Sequence, residues 1–282
     1  MRILITGGTG YLGTAMTERV PAGIEAIRLG HARGSTRLDV TDAGDVDRVL
    51  TAVQPDAVVH LAAVSRLASA SEQPDRAGDV NEVGSDTVAR AAAARSIRLV
   101  ALSSDVVFDG RSAPYNEDSP TNPINPYGRT KLAGEHAIRR HCPGALIVRT
   151  SVLVGRDRAA RFPFSTYVLE EAAAGRPVQL FDNERRNFFP VTMAAAAVWD
   201  LALAGVAGTL HVAAAVSASR FEFGRRLLVA AGLDPALAVA AQGPPDRPGD
   251  LTLDTTRAAQ VLGRPMPSMD AVIAETLRDG LT

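Results

Sequence analysis

Cysteine is nearly missing from this 282-residue chain, and its single example, Cys142, excludes an intramolecular disulfide and any cysteine-based zinc cluster. Although His141 stands beside it, Cys142 precedes Pro143-Gly144 at a predicted helix-to-strand turn and has no evident activating constellation, so it is not read as a nucleophile. Histidine is sparse as well. His31, His60, His136, His141 and His211 have no zinc-binding spacing, and no catalytic metal is expected. Charge of one sign is not in excess: 30 Lys plus Arg stand against 31 Asp plus Glu, so neither nucleic acid nor an anionic membrane is an expected partner. No apolar run approaches the roughly 20 residues of a membrane span. The first glycine, Gly7, arrives too early for a signal-peptide core. A reducing cytoplasm is the expected location.

What the chain has is enough apolar material, 46% of its residues, to bury a full core. Short apolar runs without strict alternation occur at Ile3-Leu4-Ile5, Ala57 to Leu61, Leu99 to Leu102 and Leu146 to Val148, which suits strands buried on both faces. Between them lie helical stretches, Gly10 to Val20, Thr41 to Val53, Asp79 to Ala94 and Pro126 to Arg140. This β-α-β repetition predicts an α/β fold, a Rossmann-type doubly wound parallel sheet. The pattern changes after Thr150, so residues 1–150 and about 191–213 are expected to form the dinucleotide-binding domain. Residues about 151–190 and 214–282 are expected to form a small substrate-binding lobe, with substrate between the two.

Gly7, Gly10 and Gly13 follow the first strand and open a helix, with Tyr11 and Leu12 between them. Glycine there permits a tight turn and close approach of backbone to a pyrophosphate at the helix N-terminus. At the end of the second strand one looks for an acid that would hold a ribose hydroxyl; Gly30, His31, Ala32 and Arg33 stand there instead. Cationic groups favour a 2'-phosphate and hence NADPH, with NADH as the second choice, unless His31 and Arg33 are solvated loop residues. Asp39, next to Val40, is either an adenine contact or a cap for the following helix.

Tyr127 and Lys131 are four apart on a predicted helix, so their side chains share a face. A phenol with an ordinary pKa of about 10 needs a neighbouring cation to exchange protons near neutrality, which Lys131 can supply. Ser103-Ser104-Asp105 ends the predicted fourth strand, at the edge where such folds bind ligands. Ser104 can hydrogen-bond a substrate oxygen there, and Asp105 can accept from a hydroxyl.

Five segments together resemble the extended short-chain dehydrogenase/reductase superfamily and, within it, the dTDP-4-dehydrorhamnose reductase family. They are Ile5 to Gly13, Leu38 to Asp42, Pro55 to Ala63, Ser103 to Gly110 and Pro126 to Glu135. The resemblance implies a Ser104, Tyr127, Lys131 triad, an acid near the sugar at Asp105, and a cofactor-lining segment at Ala62, Ala63 and Val64. It implies a reductase of a nucleotide-linked 4-keto-6-deoxysugar, with homodimers common among relatives. Three departures stand out: Val106 replaces a frequent aromatic, the loop from Arg185 through Arg186 to Phe188 is bulky, and no Glu follows Ser104-Asp105 as in the 4,6-dehydratases. Arg185 and Arg186 either grip a diphosphate or pair with surface carboxylates, and Phe188 is expected to help wall the substrate. The alternatives are a ketoreductase or epimerase of another intermediate, and a non-catalytic, cofactor-binding subunit like the regulatory partner of methionine adenosyltransferase.

Overall fold

The computed structural model describes residues 1–31, 37–156 and 163–281, the last three without their side chains. In chain order the elements are β1 Arg2–Thr6, α1 Tyr11–Thr17, β2 Glu25–Arg28, α2 Ala43–Val53, β3 Ala57–His60, α3 Leu67–Glu72 and α4 Pro74–Gly78. A π-helical turn, Asp79–Val83, runs into α5 Gly84–Ala93, followed by β4 Arg98–Ser104, a 3₁₀ turn at Asp105–Val107, α6 Pro126–His141 and β5 Leu146–Thr150. The remainder comprises β6 Leu153–Val154, α7 Phe164–Ala173, β7 Val178–Phe181, β8 Arg185–Arg186, β9 Phe189–Pro190, α8 Val191–Leu203 and β10 Gly208–His211. It ends with β11 Ala218–Ser219, α9 Arg220–Ala230, a 3₁₀ turn Pro235–Leu237, β12 Ala238–Ala241, α10 Thr256–Leu262 and α11 Met269–Leu281.

Six strands form a parallel sheet in the order β10-β5-β4-β3-β1-β2. Ile3 pairs with both Ala26 and Ala57, and Val59 with Val100, so the strand order reverses between β1 and β3. Side chains alternate across a strand, so Leu4, Val58, Leu99 and Ile147 face one layer, where they meet Val46, Val49 and Leu50 of α2, Val88 of α5 and Ile138 of α6. α1 joins α8 through the Trp199 indole, which donates to the Met16 carbonyl at 3.0 Å. The Arg98 guanidinium ties the end of α8 to β4 by donating to the carbonyls of Leu201, Ala202 and Val206. Ala194, Ala195 and Ala197 are buried in α8, whereas Ala93 and Ala94 form an exposed helix end.

Two compact units emerge. The first holds residues 1–107, 125–149 and 195–210; the second holds 108–124, 150–194 and 211–282. The second unit has its own core, in which Phe188 stacks on Phe223 with ring centroids 4.0 Å apart, surrounded by Val168, Leu180, Leu227 and Val272. Its sheets are two-stranded pairs, β12 with β7, β11 with β8 and β6 with β9. Such short pairs leave little periodicity to read. The segment 108–124 joins this unit through its own contacts: the Tyr115 amide donates to the Thr252 carbonyl at 2.8 Å, and Phe108 meets the His211 ring edge-on.

Candidate active site

α6 starts where the sequence sets it to start. Pro126 occupies the first turn, where no amide hydrogen is required, and the Asn125 side chain accepts from the Gly128 amide at 2.8 Å as N-cap. Arg139, Arg140 and His141 close the helix at its negative end. One face of α6 carries Tyr127, Lys131 and Glu135 at successive turns, all buried against the end of β4. Lys131 Nζ donates to the Leu102 carbonyl at 2.8 Å. Ser104 Oγ donates to Asp105 Oδ1 at 3.0 Å and hydrogen-bonds Tyr127. Ser104, Tyr127 and Lys131 are thus brought together in the first unit, with Asp105 and Val106 buried in the adjoining 3₁₀ turn.

The electrostatics differ from the simplest expectation for such a pair. Burial, followed by the negative charge of Asp105, pushes the Tyr127 phenol well above its ordinary value, and the Ser104 hydrogen bond offsets only part of this. Lys131 does not figure among the groups acting on Tyr127. Instead the lysine itself is altered: burial pulls its ammonium down to about 8, opposed by the charge of Glu135. Tyr127 is therefore firmly in its acid form, and Lys131 is a cation whose charge is costly to keep.

At the sheet reversal, the loop after β1 and the loop after β3 meet. A Cβ on Gly7, whose φ is +64°, would lie 2.6 Å from the Ala62 nitrogen, so only glycine fits this contact. On Gly10 a Cβ would meet the Gly7 oxygen at 2.9 Å and nothing else within 4 Å, which leaves open space beside the first turn of α1. No side chain caps that turn. This cradle fits a dinucleotide pyrophosphate. Tyr11 opens α1 and Leu12 and Gly13 are buried within it. His31 is exposed just beyond β2, while Arg33 lies outside the described residues. Asp39 accepts from the amide and hydroxyl of Thr41, at 3.0 and 2.7 Å, and Asp42 rather than Asp39 caps α2. Val40 is buried against the start of α5, so its side chain serves the core.

Three residues expected to face substrate have other work in the second unit. Arg186 is buried and donates to the carbonyls of Arg185, Pro248 and Gly249, each at 2.7 Å. Arg185 donates to Glu222 at 2.9 Å, pairing with a carboxylate instead of standing free. Phe188 has no exposed surface and belongs to the aromatic core. A different cationic group stands out: buried Glu184 is flanked by Arg186, Arg220 and Arg247, and burial, which would raise its carboxyl, is overcome by these arginines. Arg220 and Arg247 retain some exposure and lie over the rings of Phe164 and Phe181.

The family model described as RmlD substrate binding domain matches residues 1–281. The chain belongs to this family. It is 33% identical over 271 residues to dTDP-4-dehydrorhamnose reductase of Mycolicibacterium smegmatis (strain ATCC 700084 / mc(2)155), covering 92% of this chain and 80% of that protein. It is 39% identical over 158 residues to methionine adenosyltransferase 2 subunit beta of Xenopus tropicalis, covering 55% of this chain and 47% of that one; this match spans about half the relative's length. The crystal structure of dTDP-4-dehydrorhamnose reductase from Bacillus anthracis str. Ames in complex with NADP superposes with a TM-score of 0.88. It is 24% identical and covers 99% of this chain and 98% of that one, a likeness of fold.

Within this family fold the site includes residues that motif reading passed over. Asn81, buried in the π-helical turn, donates to Thr130 Oγ1 at 2.9 Å and to the Val64 carbonyl at 3.1 Å, and accepts from the Val64 amide at 2.9 Å. It fastens the segment after β3 to α6. A polar residue inside a predicted helix was the available signal, since asparagine competes with helical backbone hydrogen bonds. His60, held by Thr6 at 2.7 Å, is driven by burial and then by Lys131 down to about 3, so it is neutral. Among the described residues no group of three or more His, Cys, Asp or Glu is arranged to hold a metal ion, and no helix is long and apolar enough to cross a membrane.

Proposed function

We propose that this chain is a nicotinamide-dependent reductase that acts on the keto group of a nucleotide-linked 4-keto-6-deoxysugar, with NADPH as preferred reductant and NADH as the second. The observation that carries this reading is the meeting of Ser104, Tyr127 and Lys131 at the end of β4, in a chain whose family includes a dTDP-4-dehydrorhamnose reductase. Gly7, Gly10 and Gly13 would hold the pyrophosphate, Ala62, Ala63 and Val64 would line the cofactor, and Lys131 would bind the nicotinamide ribose. When bound, the reduced nicotinamide supplies hydride to the carbonyl carbon. The absence of a carboxylate in Leu29-Gly30-His31, together with exposed Arg28 and His31, favours the phosphorylated cofactor.

Tyr127 then acts as the proton donor. Its raised proton affinity suits reduction, because the developing alkoxide is a stronger base than the phenolate, so the proton still moves downhill. Ser104 lies beside the phenol and, by turning its hydroxyl from Asp105 to the substrate oxygen, would stabilise the charge that develops there. Lys131 would place a cation beside the substrate oxygen, where the alkoxide charge develops. Residues about 151–190 and 214–282 would recognise the nucleotide, with Arg220 and Arg247 offering charge-assisted donors to its diphosphate in place of Arg186.

The test is oxidation of NADPH, and separately NADH, by purified protein given a dTDP-4-keto-6-deoxyhexose, with the deoxysugar nucleotide product followed by mass. Cofactor oxidation matched by product that is two mass units heavier supports the reading. Tight NADPH binding without product would remove it in favour of a cofactor-binding role. The same reading places the enzyme in the cytoplasm and has it pair as a homodimer.

A further inference from the structure

Lys131 is the only lysine in the chain; the residues counted with it as basic are all arginine. One turn further along α6, Glu135 collects an unusual number of donors for a buried carboxylate. Ser103 Oγ donates at 2.5 Å, Arg149 Nε and Nη2 at 2.9 and 2.8 Å, and Arg139 Nη2 at 2.9 Å. Three consecutive residues at the end of β4 are therefore latched to three successive turns of α6: Leu102 to Lys131, Ser103 to Glu135, and Ser104 to Tyr127. Arg149 extends the latch to β5.

We infer that Glu135 is a positioning residue for the reaction: it fixes the register of α6 on β4, so that Tyr127 meets Ser104, and it sets a negative charge beside Lys131. The titration this implies is independent of the reductase reading above, on which only its kinetic consequence rests. Burial, which would raise the Glu135 carboxyl, is outweighed by Arg149, Ser103 and Arg139, so the group is ionised. The other ionisable groups on elements packed against α6 are placed differently. Glu72, Asp75, Arg76, Asp79 and Glu82 are exposed, Asp86 engages Arg90, Arg140 and His141, Asp105 acts on Tyr127, and His60 is neutral. Lys131 responds to burial first and to Glu135 second. Removing that carboxylate leaves Arg149 and Arg139 facing the ammonium, and the lysine proton is held less tightly.

Because there is one lysine, protein grown with lysine labelled at 13Cε gives a single side-chain resonance to titrate, with no need for turnover. In Glu135→Gln the Lys131 midpoint is expected to fall by about one pH unit. The alkaline limb of the kcat/KM profile is expected to move down with it. In Arg139→Gln, which removes a half-exposed cation, the midpoint is expected to rise by a few tenths of a unit. A folded Glu135→Gln with an unmoved midpoint overturns the inference. Should that variant fail to fold, the sign of the Arg139→Gln shift decides, and a downward or absent shift overturns it. A shifted midpoint in a protein without turnover would leave the coupling of Glu135 to Lys131 standing and sink the reductase reading.

Discussion

Lys131 in the first unit and Arg186 in the second are both buried cations, yet their surroundings are opposite. Arg186 spends its donors on three backbone carbonyls, with the Glu184 carboxylate 3.9 Å away. Lys131 has one hydrogen bond among the described residues, to Leu102, and its balancing carboxylate stands a helical turn away, occupied by two other arginines. The first arrangement is a fastener, since three of its donors already have backbone acceptors. The second keeps an expensive charge with donors to spare, which is tolerable only where a ligand will use them. Buried charge in a motif is therefore not the same thing as charge available to substrate.

Substitution at the two positions should separate the roles. Lys131→Met is expected to lower kcat by roughly a thousandfold or more. It should also raise stability at pH 7, by an amount of order 1 kcal/mol, measured by urea unfolding. The sign follows from the depressed lysine: the unfolded chain binds the proton more tightly, so stability grows as pH rises from about 8 towards the ordinary value of 10.5, and below about 8 the charge is a standing cost. Wild type should gain stability over that interval and Lys131→Met should not. Arg186→Met should behave in the reverse sense, losing about 3 kcal/mol by leaving three carbonyls without their donor, while Glu184 keeps Arg220 and Arg247. Its activity per folded molecule should change little. A Lys131→Met variant that loses stability at pH 7, or an Arg186→Met variant that is as stable as wild type, would break the comparison.

Smaller effects sharpen it. Arg220→Met and Arg247→Met should raise KM for the nucleotide sugar about tenfold each, with kcat nearly kept, because a charge-assisted hydrogen bond is worth about 1.5 to 3 kcal/mol. If KM stays put while Arg185→Met raises it, the diphosphate contact returns to the loop singled out by sequence. Cys142→Ser should alter neither activity nor redox sensitivity of turnover, because burial pushes the thiol up, away from reactivity.

The parts of this molecule that repeat a period were readable in advance. β1, β3, β4 and β5 fall on the apolar runs, and α6 spans Pro126–His141 against an expected Pro126 to Arg140. Tyr127, Lys131 and Ser104 were legible because a helix face and a strand end fix their meeting. Arg186 and Phe188 were misleading for the opposite reason: they sit on two-residue strands and loops, where no period says which way a side chain points. The Glu184 cluster draws residues from positions 184, 186, 220 and 247, a separation that no local pattern records. Asn81 and Glu135 were visible as residues, but their partners, Val64 and Arg149, were visible only once the chain had folded.

The most direct test of the account is the Tyr127→Phe variant, compared with wild type in single-turnover oxidation of NADPH with the keto sugar nucleotide and in NADPH binding without it. The account predicts a rate lowered by a factor of a hundred to about ten thousand at unchanged NADPH affinity, since only the proton donor has been removed. A variant that turns over as fast as wild type would contradict it.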